Sequence, residues 1–197
     1  MFSKRRDVVI ASDRLLLRLP EISDHLDWVA LRRDGADQLQ GCEPAWAPDH
    51  FSKSAFRNRV KWAQKSFEND RAVPLFIERQ QDGVLIGAVT LDNVRKGPNR
   101  STEIGYWVGR AFQRQGYMNE AIEAVKHYAF NQMTISRVEA ACLPDNIASR
   151  NLLEKCGFHY EGVAKAYLEI GGLWQDHVIY AALRADRKRR NQAIDVI

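Results

Sequence analysis

No stretch of this chain comes near the roughly 18 consecutive apolar residues that a membrane-spanning helix requires. Cysteine is scarce: Cys42, Cys142 and Cys156 are the three present, an odd number with no Cys-x-x-Cys pair. That argues against a disulfide framework and for small buried side chains in a reducing, cytoplasmic setting. The five histidines, His25, His50, His127, His159 and His177, show no ligand spacing to one another, so neither a structural nor a catalytic metal is expected. The N-terminus carries Lys4, Arg5 and Arg6 but only a short apolar stretch and nothing like a cleavage site. It reads as mature sequence rather than a signal peptide. There is no internal repeat and no low-complexity linker. Nor is there a Gly-x-Gly-x-x-Gly fingerprint or a Gly-Lys-Ser/Thr loop, which removes the familiar dinucleotide and Walker-type phosphate sites.

What is present is an ordinary globular composition. With 197 residues, 45% of them hydrophobic and 27% charged, the chain is long enough to fill one core. A single domain over residues 1–186 with a basic tail at 187–197 is expected, as a monomer or homodimer. The net charge of +4 is mild, and basic residues gather at the ends: Lys4, Arg5 and Arg6, then Arg184, Arg187, Lys188, Arg189 and Arg190. Solvated termini are the simpler explanation. Weak attraction to an anionic partner such as an RNA-rich assembly, the ribosome included, is the alternative.

Local patterns set an order of elements. Residues 14–19 read as a first strand stopped by Pro20, after which Ser23 suits the cap of a helix through Leu26, Ala30 and Arg33. A loop over 41–48 carries Trp46, and Phe56, Val60, Ala63 and Phe67 form the apolar stripe of a second helix. Residues 73–79 and 84–91 make a hairpin, and a turn at 96–99 leads into a strand over 103–108. Met118, Ala121, Ile122, Val125 and Ala129 share one face of a central helix. A strand at 137–143, a short helix at 146–155 closed by Gly157, and strands at 159–170 and 177–183 complete the chain. The expectation is an α/β sandwich, with the strand–helix–strand unit over 103–143 as a parallel crossover.

The most informative stretch is Gln113-Arg114-Gln115-Gly116-Tyr117-Met118, which joins a strand to the start of the central helix. Such a junction gathers free backbone N–H groups at the positive end of a helix dipole, a setting suited to a pyrophosphate. Gly116 lets the backbone approach a ligand closely, and Arg114 can add charge. A second motif, Asn146-x-x-Ser149-x-x-Leu152-x-x-x-x-Gly157-Phe158, follows at a fixed distance. With the strand over 103–108, these motifs resemble the Gcn5-related N-acetyltransferases (GNAT), from about Leu15 to about Ala185. Within that family the chain is most similar to the ribosomal-protein alanine N-acetyltransferases, the Rim group. The shared features are Glu103-Ile-Gly-Tyr-Trp, Gln115-Gly-Tyr-Met, Glu161-Gly and Trp174-Gln-Asp-His177. Met118 departs from the broad family, which has Gly or Ala there, and adds bulk near the phosphates.

The resemblance implies a mixed, mostly antiparallel sheet of about six to seven strands flanked by about four helices. It also implies acetyl transfer from acetyl-CoA to a primary amine: the α-amine of a ribosomal or other protein beginning with alanine. A small amine such as a polyamine, amino sugar or amino-acid derivative is the alternative acceptor, and a non-catalytic CoA-binding regulator the alternative class. Backbone N–H groups near Tyr106, Trp107 and Val108 would hold the pantetheine and the acetyl oxygen, an oxyanion-stabilising arrangement. Amides of residues 114–118, with Gln113 beside them, would hold the pyrophosphate. The strands must splay to admit the pantetheine arm, for which a bulge at 105–109 is expected.

Glu103 is the candidate base, directly or through water; the competing reading is a strand glutamate paired with a nearby lysine or arginine. Many relatives protonate the leaving thiolate with a tyrosine where this chain has Leu153, and Ser149 is the best substitute. A glutamate that some Rim enzymes carry on the penultimate strand aligns with Leu168, so that role is not carried over. Asn146 either contacts the pantetheine or caps its helix. Trp46, Tyr160, Tyr167, Trp174 and Asp176 would wall the acceptor site with aromatic rings and a carboxylate, although such aromatics are most often core.

Overall fold

In the computed structural model, which describes residues 9–184, side-chain alternation builds the sheet. The interior strand β3 (Val73–Arg79) sends Leu75 and Ile77 to one core cluster and Phe76 to another on the opposite face. Its hairpin partner β4 (Val84–Asp92) does likewise, with Val89 and Leu91 on the first side and Ala88 on the second. Ahead of them lie β1 (Val9–Ala11) and β2 (Leu15–Arg18), and after them β5 (Ser101–Val108), β6 (Arg137–Cys142), β7 (His159–Ile170) and β8 (Leu173–Leu183). The sheet has eight strands in the order β1-β2-β3-β4-β5-β6-β8-β7. It exceeds the expected number because β1, three residues long, is too short to show an alternating pattern in sequence.

Helices cover both faces. On one side α4 (Tyr117–Asn131) lays Met118, Ala121, Ile122, Val125 and Ala129 against the larger core cluster, and α5 (Ile147–Lys155) adds Leu153. On the other, α1 (His25–Asp34) and α3 (Lys53–Glu68) bring Trp28, Phe56 and Val60 against Phe76, Leu85 and Ala88. A five-residue α2 (Ala36–Gln40), unmarked in the sequence pattern, sits between them. Ser23 does not cap the first helix; it lies exposed in a 3-10 turn (Ile22–Asp24). Asp24 organises that turn, accepting from the Glu21 amide at 2.7 Å and pairing with Arg18 at 2.7 Å. The basic residues 4–6 and 187–190, and the expected tail boundary, lie outside the described residues.

One parallel pairing decides where a ligand can enter. β5 and β6 are joined only at Ser101↔Arg137, Thr102↔Val138 and Glu103↔Glu139. Beyond those rungs β5 stays with β4 as far as Val108, and β6 stays with β8 as far as Cys142. The two strands therefore part in the middle of the sheet. The expected bulge at 105–109 is absent: β4 and β5 pair without a register shift from Gly87↔Val108 to Asp92↔Glu103. The gap comes from divergence of a whole strand rather than from an extra residue. Irregularities occur instead at Ile77/Glu78 and at two places between β7 and β8.

Candidate functional site

The loop from β5 to α4 holds an unusual backbone. After a 3-10 turn (Arg110–Phe112), Arg114 has φ 58° and Gly116 φ 82°, both left-handed. Gly116 is the N-cap of α4 and supplies no side-chain cap. The other site helix and α3 differ: Asn146 Oδ1 accepts from the Ser149 amide at 3.0 Å, and Ser52 Oγ from the Ala55 amide at 3.0 Å. The first-turn amides of α4 are thus left for an external acceptor, at the end of the helix where an anion is favoured. Arg114 is exposed, while Gln113 Nε2 donates to Gln38 Oε1 at 3.0 Å and Gln115 Nε2 to the Ala111 carbonyl at 2.8 Å. Arg14 braces the loop from β2's side: its Nη1 donates to the Gln115 carbonyl at 3.1 Å, and its Nε pairs with Glu120 at 2.7 Å. Tyr117 and Met118 contribute backbone only, because both side chains point into the core. Met118 therefore adds no bulk at the loop, contrary to the expectation from sequence.

Where β5 and β6 part, a cavity of about 550 Å³ opens, lined on its strand side by residues 104–107 and 141–143 and on its helix side by Asn146 and Ser149. In an antiparallel ladder only alternate residues exchange hydrogen bonds with a given neighbour. The remaining N–H and C=O groups of β5 face the divergent edge. Across this opening Tyr106 Oη and Ser149 Oγ lie 2.8 Å apart, within hydrogen-bonding distance. Burial pushes the Tyr106 phenol well above its ordinary range, so it stays protonated at neutral pH. The sequence had offered Tyr106 for its backbone; the fold adds its hydroxyl to Ser149. Cys142 joins this group, its thiol raised by burial and drawn partly back by Ser149.

Glu103 sits at the last rung before the strands part and does not line the cavity. Arg95 Nη2 donates to its Oε1 at 2.9 Å, and Asn93 Nδ2 to its Oε2 at 3.0 Å. This is the paired strand glutamate that competed with the base reading.

The far end of the cavity is aromatic and cationic. Trp46 stacks on His50 with centroids 4.6 Å apart and planes 7° from parallel. Arg32, 4% exposed, lies 4.5 Å over Trp46 and 5.1 Å over Trp107, and its fork meets both oxygens of Glu43. Glu43 also accepts from the Trp46 indole at 3.0 Å. Arg59 stacks 5.0 Å over Trp28. Burial, then the charges of Arg32 and Arg59, lowers the His50 pKa to about 4, and its Nε2 is buried without a partner. Sequence reasoning missed Arg32, His50 and Arg59. The one available signal was helical spacing, which puts Arg32 four residues after Trp28 on the same face.

Of the proposed acceptor wall, only Trp46 lines this cavity. Tyr160 is 53% and Trp174 66% exposed, both away from it. Tyr160 packs edge-on to Tyr180 at 5.8 Å, and Tyr167 leans on His177 at 5.5 Å. Asp176 pairs with Lys165 at 2.6 Å and accepts from the Ala166 amide at 3.0 Å, pinning an irregularity where Ala166 has φ 45°. From the β7–β8 hairpin, Leu168 and His177 reach the cavity instead. Among the described residues no cluster of His, Cys, Asp and Glu could hold a metal.

Comparison with known proteins agrees with this geometry. The acetyltransferase (GNAT) domain family matches residues 14–159. A probable N-acetyltransferase of Bacillus subtilis, YjcK, is 32% identical over 87% of this chain and 95% of its own length. The [ribosomal protein uS5]-alanine N-acetyltransferase of Escherichia coli is 30% identical over 94% of this chain and 97% of its own. The solved structure of Mycobacterium smegmatis RimJ in complex with CoA-disulfide superposes with a TM-score of 0.83 at 29% identity, covering 91% of this chain and 86% of that one. Loop, splayed strands and sequence kinship converge on one conclusion: the chain belongs to the GNAT family and is an acetyl-CoA-dependent N-acetyltransferase.

Proposed function

We propose that the acceptor is the α-amine at a protein N-terminus, alanine being the first residue to test, with a ribosomal protein as the natural substrate class. The diphosphate of acetyl-CoA rests on the amides of residues 114–118, and the pantetheine lies between β5 and β6. The amine nitrogen attacks the thioester carbon, giving a tetrahedral oxyanion held by β5 backbone N–H groups. Collapse breaks the C–S bond, and the thiolate takes a proton. Ser149 donates toward the sulfur while Tyr106 donates to Ser149, and the proton lost by the attacking nitrogen balances the exchange.

The observation that favours an α-amine is the state of the cavity's carboxylate. Glu43 lines the cavity but is held by Arg32 and Trp46, so it does not serve as a free base. An α-amine with a pKa near 8 is already about one-tenth neutral at pH 7, whereas a lysine amine is neutral in only about one molecule in 2,500. The first can react without a dedicated base. Glu103 can take a proton from the acceptor only through water. The kinship with the E. coli enzyme named for uS5 alanine supports the same acceptor class.

The test is CoA release from acetyl-CoA with an alanine-starting peptide, the same peptide already N-acetylated, and a polyamine. Turnover confined to the free N-terminus is expected, with mass spectrometry placing the acetyl group on the first residue. Turnover with the polyamine alone would overturn the acceptor assignment.

A further inference from the structure

The acceptor end of the cavity carries more positive than negative charge. Arg32 and Arg59 both line it, against the single carboxylate of Glu43. Glu43 takes both terminal nitrogens of Arg32, whose Nε is left buried without a partner. Arg59 has no carboxylate partner among the described residues, and its guanidinium is stacked on the Trp28 ring at 5.0 Å. Arg59 is exposed overall, yet the protein beside it and then the charge of Arg32 lower its pKa, and Glu43 only partly offsets this. Those are the conditions that a bound anion relieves. His50 stays neutral at physiological pH and supplies no charge of its own. Trp62, 45% exposed, adds a further aromatic ring to the cavity lining. A planar fork with open N–H donors, set in a concave aromatic site, matches a carboxylate or a phosphate bidentately.

We infer that Arg59, stacked on Trp28 and next to Arg32, forms an acceptor subsite for an anionic side chain. Preferred N-termini then carry an acidic residue shortly behind the reacting amine, and lysine or arginine there is disfavoured. The inference builds on the peptide-acceptor reading given above. It adds a specificity determinant that acts on acceptor binding and not on the chemical step.

The experiment uses the full chain loaded with CoA or acetyl-CoA and alanine-starting peptides bearing Glu, phosphoserine, Gln or Lys at the second, third or fourth position. Steady-state KM is measured alongside binding followed by tryptophan fluorescence, to which Trp28 contributes directly. Charged hydrogen bonds of this kind predict a KM and Kd about tenfold lower for the best Glu peptide than for its Gln counterpart. Phosphoserine separates phosphate from carboxylate preference, and tighter binding of either than of Gln supports the subsite. Arg59→Gln should erase the preference with kcat little changed, and Arg59→Lys should keep part of it. Equal KM and Kd for Glu and Gln peptides in the unmodified protein, or a preference that survives Arg59→Gln, would overturn the inference. If no peptide is acetylated, the α-amine reading fails, and the fluorescence titration still decides the subsite by the same comparison.

Discussion

The Tyr106–Ser149 pair carries the sharpest prediction about the chemical step. Their hydroxyls lie 2.8 Å apart at the opening between β5 and β6. If Ser149 stabilises the departing thiolate, Ser149→Ala removes one hydrogen bond to a charged atom. Such bonds are worth about 1.5–3 kcal/mol, which lowers kcat by roughly ten- to a hundredfold. Tyr106→Phe leaves Ser149 in place but removes the group that orients it, so a smaller loss is expected. The two losses should not add, because Tyr106 acts through Ser149: the double variant should match Ser149→Ala alone. Neither single variant should move the acetyl-CoA KM by more than about twofold, since the loop amides are untouched. The assay is thiol release under saturating acetyl-CoA and peptide, with thermal unfolding as a control for the buried hydroxyl left unpaired, about 1 kcal/mol. Losses that multiply in the double variant, or an unchanged kcat in Ser149→Ala, would refute the relay.

Three other perturbations test separate parts of the structure. Gly116→Val forces a β-branched residue to φ 82° at the mouth of the loop. It should cost about 1–2 kcal/mol or more of stability and weaken CoA binding in calorimetry; native CoA affinity would contradict the loop assignment. Glu103→Gln should lower kcat by less than about fivefold, because Glu103 stands outside the cavity and a direct base would cost about a hundredfold or more. A loss of the larger size would restore it as the base. His50, with its pKa lowered from 6.5 to about 4, binds a proton less readily when folded than when unfolded. Its share of stability is full above about pH 6.5 and is lost as pH falls toward 4. His50→Asn should flatten the fall in melting temperature over that window, and an unaltered pH profile would count against a neutral buried imidazole.

The loop proposed to take the diphosphate was legible in the chain because it is built from neighbours. The turn from strand to helix, the left-handed glycine at its tip, and the Asn146 cap three residues before Ser149 each involve contacts within a few positions. Periodicity likewise located the β3–β4 hairpin, the buried face of α4 and the strands around them. β1 and α2 escaped because three and five residues span too little of a period to register. The bulge at 105–109 was inferred from a need for space, which the fold meets by sending β6 away from β5.

The aromatic and cationic end of the cavity was not legible for a physical reason. Arg32, Glu43, His50 and Arg59 come from α1, a loop and α3, and they share a cavity only once those elements dock on the sheet. The same holds for Tyr106 and Ser149, 43 positions apart. Sequence by itself determined the family, through the motifs it resembles, and the layered α/β architecture, through local periodicity; it also marked the helix end proposed for the coenzyme. Tertiary structure alone decided that Glu103 is paired outside the cavity, that Tyr106 reaches Ser149, and that Arg59 lines the cavity with no carboxylate partner among the described residues. Those outcomes depend on how separate elements pack, and a linear pattern does not record distances across a core.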